Sequence, residues 1–435
     1  MRGQLDGTQR AVKWYPPSYD IRVETVPIPR ILEPDDAIIK IKLAGLCGSD
    51  LHIYRGHEDV DAELICGHEL IGEVVALGSS FHPGASARPE LYSSLKIGDK
   101  VVSPFTVSCG ECHFCRVGFT CRCIHSTLFG IPILPGGQAQ YARIPKAGGT
   151  LFNLTALAKS NPQVLELADS SLLLLADILP TGVFAALQAL QHPKLSPLLT
   201  GSAYPSSSFV PESVLKFAEL GVVRPLETED RALTVAIVGL GPVGVCAAVS
   251  LLHMLESIQK DKGIDYRVVA IDPNESRRTK MDAVYAKIGG KDKRSRAFVV
   301  AAIDEAKELA GLWTGGAGCN AVLEVVGNNS ALELAYALVR PFGIISSVGV
   351  HQEPPLPFTG RDVYNKNVSF DFGRCPVRAM FPLALEVLAK HQDVFGGIGE
   401  VSSLVEKVVP LDQAAESYKL FDQGKCGKIL FDPWI

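Results

Sequence analysis

The chain lacks a surplus of either charge. Its 42 Lys and Arg stand against 47 Asp and Glu, which gives a formal net charge of −5 over 435 residues. Because the basic residues are scattered along the chain, no basic patch predicts binding to nucleic acid or to an anionic membrane. Only 20% of the residues are charged and 47% are apolar, which is a globular composition. We therefore expect a small soluble molecule as the partner, and neither nucleic acid nor a membrane.

The sequence also lacks long apolar runs and an apolar leader. Asp169 and Asp177 interrupt the leucine-rich stretch VLELADSSLLLLADILP, so no run reaches the roughly 18 apolar residues of a membrane span. The opening residues, MRGQLDGTQRAVKWYPPSYD, contain no apolar core of a signal peptide. From these features we expect a cytoplasmic protein.

Disulfides are a further expected absence. Eleven cysteines would suit a secreted disulfide scaffold only in a much shorter chain. Five of them stand at spacings that are typical of metal ligands. We therefore predict reduced thiolates on a metal.

The length predicts two domains, because one hydrophobic core seldom grows beyond about 250 to 300 residues. Residues 11–150 hold short β-rich runs punctuated by Gly and Pro, which predict an irregular β-barrel-like domain. Residues 234–350 alternate strand and helix patterns, which predict a doubly wound parallel sheet and hence an α/β fold. Residues 191–230 show no clear period and are interpreted as an insertion.

A cysteine-rich loop, SCGECHFCRVGFTCRC, has the spacing C-x2-C-x2-C-x7-C. Four thiolates this close in sequence can complete a tetrahedron around Zn²⁺ and leave no open position, which is typical of a structural site. Neither ferredoxin spacing is present, so zinc is favoured over an iron–sulfur cluster. The predicted ligands are Cys109, Cys112, Cys115 and Cys123, with Cys121 as the alternative to Cys123.

A second set of potential ligands is divided between the motifs GLCGSDLH and CGHELIGEV. The residues of interest are Cys47, Ser49, Asp50 and His52 in the first motif, and His68 and Glu69 in the second. A thiolate and an imidazole together suit Zn²⁺, and a catalytic zinc needs a third protein ligand with the fourth position open. Each residue alone fits an ordinary core or surface position, but their combination indicates a catalytic zinc site.

The segment VAIVGLGPVG indicates a nucleotide site, because a buried strand, a glycine-rich turn and an apolar helix follow one another. Gly239 permits the tight turn, Gly241 lets the backbone approach a pyrophosphate, and Gly244 allows close packing of helix on strand. Pro242 and Val243 complete the turn.

The acidic residue that ends the next strand is Asp272, and it favours NAD over NADP. Its carboxylate suits the ribose hydroxyls and repels a 2′-phosphate. Asp272 stands twenty-eight residues beyond Gly244, more than the usual spacing of about twenty. Arg277 and Arg278 follow closely and could bind the adenosine ribose or tolerate a 2′-phosphate.

In combination, these motifs resemble the zinc-containing medium-chain alcohol dehydrogenase family from about Ala11 to Ile435. The shared motifs are G-H-E-x-x-G, the sequence GDKV at Gly98–Val101, the cysteine loop and G-x-G-x-x-G, in this order. The resemblance implies a GroES-like irregular β-barrel catalytic domain over residues 11–180, to which residues 365–435 return. It also implies a Rossmann domain, the NAD-binding parallel sheet, over residues 181–364.

Within this family, the stretch LLLLADILPTGVFAAL resembles most the formaldehyde dehydrogenase-like branch. There the Asp ahead of a Pro-Thr-Gly turn is the third ligand of the catalytic zinc, which implies Asp177, with Asp169 as the alternative. The resemblance also implies Cys47 and His68 as the other ligands and Glu69 as a transient one.

The resemblance further implies roles for the polar residues around this zinc, which acts as a Lewis acid on the alcohol oxygen. Ser49 accepts the alcohol proton, and His52 relays it through the cofactor ribose to solvent. Asp50 orients a ligand imidazole. Lys428 stands where the family often places a basic residue that faces the pyrophosphate; a solvated strand-end lysine is the alternative.

The predicted function is hydride transfer between NAD and a primary alcohol or aldehyde hydrate, with two zinc ions per chain. Primary alcohols, aryl alcohols and formaldehyde are the candidate substrates. A polyol or sugar dehydrogenase of the same family, and a non-enzymatic relative that keeps the fold, are the alternatives. Because the strand NVSFDF could pair with a partner's sheet, a homodimer or homotetramer is expected.

Overall fold

The computed structural model describes residues 6–82, 84, 91, 94–201, 204, 227, 229–289, 297–352 and 354–435. These residues form two compact units. One contains the chain up to Thr181 and again Cys375–Ile435, and the other is Gly182–Arg374. Most of the predicted insertion, residues 191–230, lies outside the described residues; its described part contains two short helical segments, Pro193–Leu195 and Ser196–Thr200, and the start of a third, Glu229–Arg231.

The secondary structure of the described residues is as follows. The strands are β1 (Thr8–Tyr15), β2 (Asp20–Pro27), β3 (Ala37–Leu46), β4 (Leu64–Ile65), β5 (Leu70–Leu77), β6 (Lys100–Ser103), β7 (Tyr141–Ile144), β8 (Phe152–Asn153), β9 (Leu233–Val238), β10 (Tyr266–Ile271), β11 (Phe298–Ala301), β12 (Cys319–Glu324), β13 (Val339–Ser347), β14 (Ser369–Phe372), β15 (Val405–Pro410) and β16 (Lys428–Asp432). The α-helices are α1 (Asp50–Tyr54), α2 (His113–Arg116), α3 (Ala147–Thr150), α4 (Leu154–Leu157), α5 (Asp169–Leu173), α6 (Ile178–Leu190), α7 (Ser196–Thr200), α8 (Pro242–Lys262), α9 (Glu275–Ile288), α10 (Ile303–Thr314), α11 (Asn329–Leu338), α12 (Gly360–Lys366), α13 (Val377–Lys390), α14 (Gln392–Phe395) and α15 (Ala414–Asp422). Short 3₁₀ turns lie at Ser79–Phe81, Thr120–Arg122, Pro162–Leu165, Leu174–Ala176, Pro193–Leu195, Glu229–Arg231 and Leu411–Gln413.

The first unit contains a three-stranded sheet in the order β2-β1-β4 and a larger sheet in the order β15-β16-β3-β5-β6-β8, with β7 also paired to β3. Strand β3 alternates the exposed Lys40 and Lys42 with buried apolar residues. This period of two is typical of a strand with one face in the core. The chain thus forms the β-rich first part that its Gly- and Pro-punctuated runs predict.

The pairing of β3 with its two neighbours determines where the potential metal ligands lie. Cys47 follows the last residue of β3, and His68 and Glu69 precede the first residue of β5. Because Ala44 is opposite Leu70 in the antiparallel register, these chain ends lie at the same edge of the sheet. On the other side of β3, Ile429 of β16 is opposite Leu46, so Lys428 reaches this edge as well.

The C-terminal segment packs into the core of the first unit. Trp14, Leu46, Tyr418 and Phe431 are buried together in one apolar cluster that joins residues from both ends of the chain. Burying a side chain of this size contributes roughly 1.5 to 3 kcal/mol.

The second unit is a six-stranded parallel sheet in the order β11-β10-β9-β12-β13-β14. Every residue of β9, LTVAIV, is buried, as expected for a central parallel strand. The strand order reverses between β9 and β12, and ligands of such sheets bind at the carboxyl ends of the strands at this reversal. The predicted doubly wound sheet and α/β class are confirmed.

One predicted domain boundary is wrong. Residues 365–435 were expected to return to the first domain, but the return begins at Cys375. The reason is the strand NVSFDF: as β14 it pairs in parallel with β13, with Ile344 opposite Ser369. Among the described residues, it is one of the two edge strands of the sheet in the second unit.

One helix among the described residues has the length and mean hydropathy of a membrane span, although polar residues interrupt its apolar sequence. It is α8, whose most apolar window has a mean hydropathy of 1.3 and is 61% buried inside the protein. The pair Asp169–Ala176 and Ile178–Leu190 passes the same criteria only if joined across a bend of 52°. Because α8 directly follows the central strand β9, its apolar character is that of a core helix.

Candidate active site and metal centres

Four potential metal ligands converge in the first unit. The Sγ of Cys47, a ring nitrogen of His68 and a carboxylate oxygen of each of Glu69 and Asp177 all lie within 4.8 Å of one another. The first three come from the β3 and β5 ends, and Asp177 comes from the turn ahead of α6. Asp177 thus joins residues more than one hundred positions away in the sequence.

His68 is oriented as a metal ligand requires. Its Nδ1 lies 3.1 Å from Oδ1 of Asp50, and the other oxygen of Asp50 accepts a hydrogen bond of 2.9 Å from the backbone N–H of Cys47. Its Nε2 is buried without a hydrogen-bond partner, 3.3 Å from Oδ2 of Asp177. A histidine whose one nitrogen donates to a carboxylate presents the lone pair of the other nitrogen to a metal. The residues therefore fit a zinc ion with nitrogen, sulfur and carboxylate ligands.

Asp177 has one oxygen occupied and one directed to the cluster. Oδ1 accepts a hydrogen bond of 2.9 Å from the hydroxyl of Thr181, and Oδ2 lies 3.7 Å from Sγ of Cys47. The alternative ligand, Asp169, lies elsewhere: it pairs with Lys100 and is 3.9 Å from Nζ of Lys42. The structure brings Asp177, and not Asp169, to the cluster.

The charges of this buried cluster depend on one another. Burial opposes the ionisation of Asp177, but the nearby His68 ring and a hydrogen bond from Thr181 hold its pKa below the ordinary value. Burial also lowers the pKa of His68, yet the carboxylates of Asp50 and Asp177 outweigh it and hold that pKa well above its ordinary value. Burial raises the pKa of the Cys47 thiol. A divalent cation would compensate the two carboxylates and favour the thiolate.

Lys428 lies beside this cluster. Its ammonium forms an ion pair with Oε2 of Glu69 and donates to the carbonyl oxygen of Leu46 at 3.0 Å. The side chain is 0% exposed, so it is not a solvated strand-end lysine. Burial lowers the pKa of Lys428, but Glu69 and Cys47 outweigh it and raise that pKa. The physical cause is the pairing of β16 with β3, which encloses the first residue of β16.

The cysteine loop forms a second cluster. The sulfurs of Cys109, Cys112, Cys115 and Cys123 lie within 4.8 Å of one another, and Cys121 is not among them. Backbone N–H groups donate to these sulfurs: Cys112 to Cys109 at 3.3 Å, and Cys109 to Cys123 at 3.2 Å. Burial opposes ionisation of Cys112, but backbone hydrogen bonds lower its pKa to about 6. Four sulfurs in this arrangement fit a structural zinc.

The glycine-rich turn lies between β9 and α8 in the second unit. Gly239 has a φ of +101°, which favours glycine. A Cβ on Gly244 would lie 2.0 Å from the carbonyl oxygen of Gly239, so only glycine allows this approach of helix to turn. A Cβ on Gly241 would meet no atom within 4 Å, which leaves open space at the start of α8. This open space at a helix N-terminus fits a bound phosphate group.

Asp272 is tied to this turn. It is 2% exposed, and its oxygens accept hydrogen bonds of 2.8 Å from the backbone of Leu240 and 2.9 Å from Asn274. Arg277 lies in the first turn of α9 with Nη1 3.5 Å from Oδ2 of Asp272. Arg278 donates to the carbonyl oxygens of Asp272 and Pro273.

Comparison with known proteins decides the family. A family model described as an alcohol dehydrogenase GroES-like domain matches residues 33–154, and one described as a zinc-binding dehydrogenase matches residues 253–390. The chain is 37% identical over 433 residues to zinc-type alcohol dehydrogenase B of Aspergillus flavus, covering 98% of this chain and 82% of that protein. The chain belongs to the zinc-containing medium-chain alcohol dehydrogenase family.

Other members of the family are similar over nearly their full length. Formaldehyde dismutase of Pseudomonas putida is 27% identical over 449 residues, covering 95% of each chain. The solved structure of an alcohol dehydrogenase from Thermus sp. ATN1 is 26% identical with a TM-score of 0.68, covering 97% of this chain and 99% of that one. The predicted GroES-like domain is confirmed, and the chain is a zinc-dependent alcohol oxidoreductase whose Rossmann fold implies NAD.

Two further residues predicted from the family's motifs lie at α1. Ser49 precedes this helix and makes no capping hydrogen bond with its side chain. His52 is partly buried, and its Nδ1 has no hydrogen-bond partner. Burial holds the pKa of His52 below its ordinary value. The side chains of both residues therefore remain available for proton transfer.

The contacts of several polar residues were not predicted from the sequence. Thr181 was part of the Pro-Thr-Gly motif, which could have indicated its bond to Asp177. A second group joins the carboxyl ends of β12 and β13: Ser347 donates to Oε2 of Glu324 at 2.6 Å, and Nε2 of His351 lies 2.8 Å from the Ser347 hydroxyl. Glu324 also accepts from the backbone of Gly327 at 2.8 Å. No motif in the sequence indicates this group, because its members are brought together by the parallel pairing of the two strands.

Proposed function

We propose that this chain oxidises a primary alcohol, or an aldehyde hydrate, with NAD, and that it holds one catalytic and one structural zinc. The observation that carries the proposal is the buried convergence of Cys47, His68 and Asp177, with Nδ1 of His68 held by Asp50 and Nε2 without a partner. A structural zinc site would not need a histidine whose Nδ1 is held by one carboxylate, Asp50, and whose Nε2 lies beside another, Asp177. When bound, zinc supplies Lewis acidity to the substrate oxygen.

The residues of the chain supply proton transfer and positioning. Ser49, two residues after Cys47, accepts the proton of the alcohol hydroxyl. His52 then takes the proton from Ser49 and passes it towards solvent; its lowered pKa keeps it neutral and able to accept. Asp50 keeps His68 in the tautomer and orientation of a ligand.

The second unit supplies the cofactor site. The N-terminus of α8 and the open space above Gly241 are proposed to receive the pyrophosphate of NAD, with Pro242 and Val243 in the first turn. The carboxylate of Asp272 is proposed to accept from the ribose hydroxyls. Its burial beside Leu240 supports NAD over NADP, because a 2′-phosphate there would meet a buried negative charge.

Alanine substitutions of Gly241 and Gly244 are expected to cause different defects. Gly241→Ala is expected to keep normal thermal stability, since its Cβ meets no protein atom, but to weaken NADH binding at least about tenfold by entering the pyrophosphate space. Gly244→Ala is expected to lose both stability and binding, because its Cβ overlaps the Gly239 carbonyl. Thermal unfolding and NADH fluorescence titration measure the two effects. Unchanged NADH affinity in Gly241→Ala would place the pyrophosphate elsewhere.

His52 predicts the pH dependence of alcohol oxidation. Burial holds its pKa below 6.5, so oxidation is expected to persist at neutral pH and to decline as the pH falls through this lowered value. His52→Gln is expected to reduce kcat about a hundredfold at neutral pH and to gain activity from added imidazole. The control is His57→Gln, since His57 is exposed and its ring centre is 6.5 Å from that of His52. A His52→Gln enzyme with the wild-type pH profile of kcat would exclude the relay.

The function itself is tested by NADH formation with a panel of substrates at equal enzyme concentration. The panel contains simple primary alcohols, aryl alcohols, formaldehyde and polyols, and each is assayed with zinc-loaded protein. Similarity to formaldehyde dismutase supports small aldehyde hydrates among the substrates. A strong preference for polyols would favour the alternative of a polyol or sugar dehydrogenase, and no turnover by fully metal-loaded protein would favour a non-enzymatic relative.

We also propose a cytoplasmic location and a homodimer or homotetramer. The location is supported by the four thiolates of the cysteine loop, which must stay reduced to hold zinc. The assembly is supported by β14, which is an edge strand of the sheet among the described residues and so could pair with a second copy. Light scattering of the purified protein tests the assembly.

A further inference from the structure

The Glu69–Lys428 pair is an unusual element of the catalytic cluster. Both side chains are 0% exposed, and each is the charged partner of the other. Oε2 of Glu69 is taken by Lys428, whereas Oε1 is buried without a hydrogen-bond partner. One oxygen of Glu69 is therefore restrained, and a carboxylate oxygen of Glu69 lies within 4.8 Å of the ligand atoms of Cys47, His68 and Asp177.

The backbone is shaped around this pair. Gly45 of β3 lies directly under Glu69, and a Cβ at this position would be 1.8 Å from Oε2 of the carboxylate. Gly45 is also opposite Leu430 in the pairing of β3 with β16, so Lys428, one residue before Ile429, can donate to the carbonyl oxygen of Leu46. Three strands thus hold the carboxylate and the ammonium in contact and away from bulk solvent.

The donor set raises a problem of coordination. With Cys47, His68 and Asp177 as zinc ligands, the catalytic site keeps its fourth position open for substrate. Glu69 offers a fourth donor atom within 4.8 Å of the other three. If Glu69 bound the metal, it would complete the tetrahedron as in a structural site. The ammonium of Lys428 competes with the metal for the carboxylate of Glu69, and so decreases the tendency of this carboxylate to bind the metal.

We propose that Lys428 is a positioning residue that holds Glu69 away from the metal and thereby keeps the fourth coordination position open. This inference rests on the proposed zinc site. It assigns Lys428 a task that is separate from cofactor binding, and it explains why a lysine is buried here despite the cost of removing its charge from water.

The inference is tested with Co²⁺-substituted protein and azide as the external ligand, because Co²⁺ absorption reports coordination in the absence of turnover. Lys428→Met is expected to bind azide at least about tenfold more weakly than wild type, since Glu69 would take the open position. Lys428→Met/Glu69→Gln is expected to recover azide binding to within about threefold, and Lys428→Arg, which keeps the charge, is expected to behave as wild type. The matched control is Lys425→Met, which changes an exposed lysine three residues earlier.

Stability provides a second readout, in case Lys428→Met folds poorly. In metal-free Lys428→Met, the unpaired Glu69 is expected to lower the unfolding temperature. Co²⁺ is expected to raise the unfolding temperature of this variant by more than it raises the unfolding temperature of wild type, because Glu69 gains a new positive partner. Wild-type azide affinity in Lys428→Met, or no extra stabilisation by Co²⁺, would overturn the role of Lys428 while leaving the proposed function intact. Failure of wild type to bind Co²⁺ or Zn²⁺ at this site would instead overturn the proposed function.

Discussion

Asp177→Ala is expected to reduce the zinc content from about two ions per chain to about one, and to reduce kcat/KM for alcohol oxidation at least about a hundredfold. The loss corresponds to about 2.7 kcal/mol of transition-state stabilisation. The reason is that Asp177 supplies the only proposed ligand that does not come from the β3 and β5 ends. Without it, Cys47 and His68 remain as ligands beside Glu69, which is paired with Lys428, and Thr181 loses the acceptor of its hydroxyl. Elemental analysis and an NAD-linked assay on the same preparation measure both effects.

The matched control is Asp169→Ala, which removes the alternative carboxylate eight residues earlier. Asp169 pairs with Lys100 near the surface of the first unit, so its loss is expected to leave both zinc ions and most of the activity. If Asp177→Ala kept two zinc ions and full activity while Asp169→Ala lost one ion, the third ligand would be reassigned. The pair of variants thus separates the two candidates that the sequence leaves open.

The parts of this site that the sequence predicts are those encoded in short, contiguous motifs. Cys47 and His68 stand next to strand ends, and the cysteine loop closes within fifteen residues, so spacing alone indicates their chemistry. The glycine turn is equally local, since Gly239 and Gly244 contact each other across one turn. In these elements, the residues that meet in space are also close to one another in the sequence.

The parts that the sequence misses depend on the pairing of distant strands. From the sequence alone, Lys428 has the pattern of a lysine at the end of a strand. Its buried position follows only from the pairing of β16 with β3, which brings Lys428 to its acceptor Leu46, 382 residues earlier in the chain. The position of β14 is similar: NVSFDF has the pattern of a strand, but only its register with β13 assigns it to the second unit. The group of Glu324, Ser347 and His351 also arises from strand order. Local periodicity carries no information about which strands become neighbours.

Cys112→Ser is expected to remove the second zinc ion and leave the first. Sγ of Cys112 lies 3.8 Å from Sγ of Cys123, so a hydroxyl in its place opens the four-sulfur shell. Because structural zinc contributes directly to folding, the unfolding temperature is expected to fall by at least about 5 °C. Uptake of zinc by the metal-free wild-type loop is expected to weaken steadily as the pH falls, because burial raises the pKa values of Cys115 and Cys123 and protons compete with zinc for these thiolates.

Cys121→Ala separates the loss of a ligand from the loss of a buried thiol. Cys121 is buried in the same loop but lies outside the four-sulfur cluster, so this variant is expected to keep two zinc ions. Any fall in its unfolding temperature would then be a packing effect that added zinc does not reverse. If Cys121→Ala lost a zinc ion and Cys112→Ser did not, the ligand set of the loop would be wrong. If both variants kept two ions, the second zinc would lie outside this loop, and the closed thiolate site would no longer account for the arrangement of Cys109, Cys115 and Cys123.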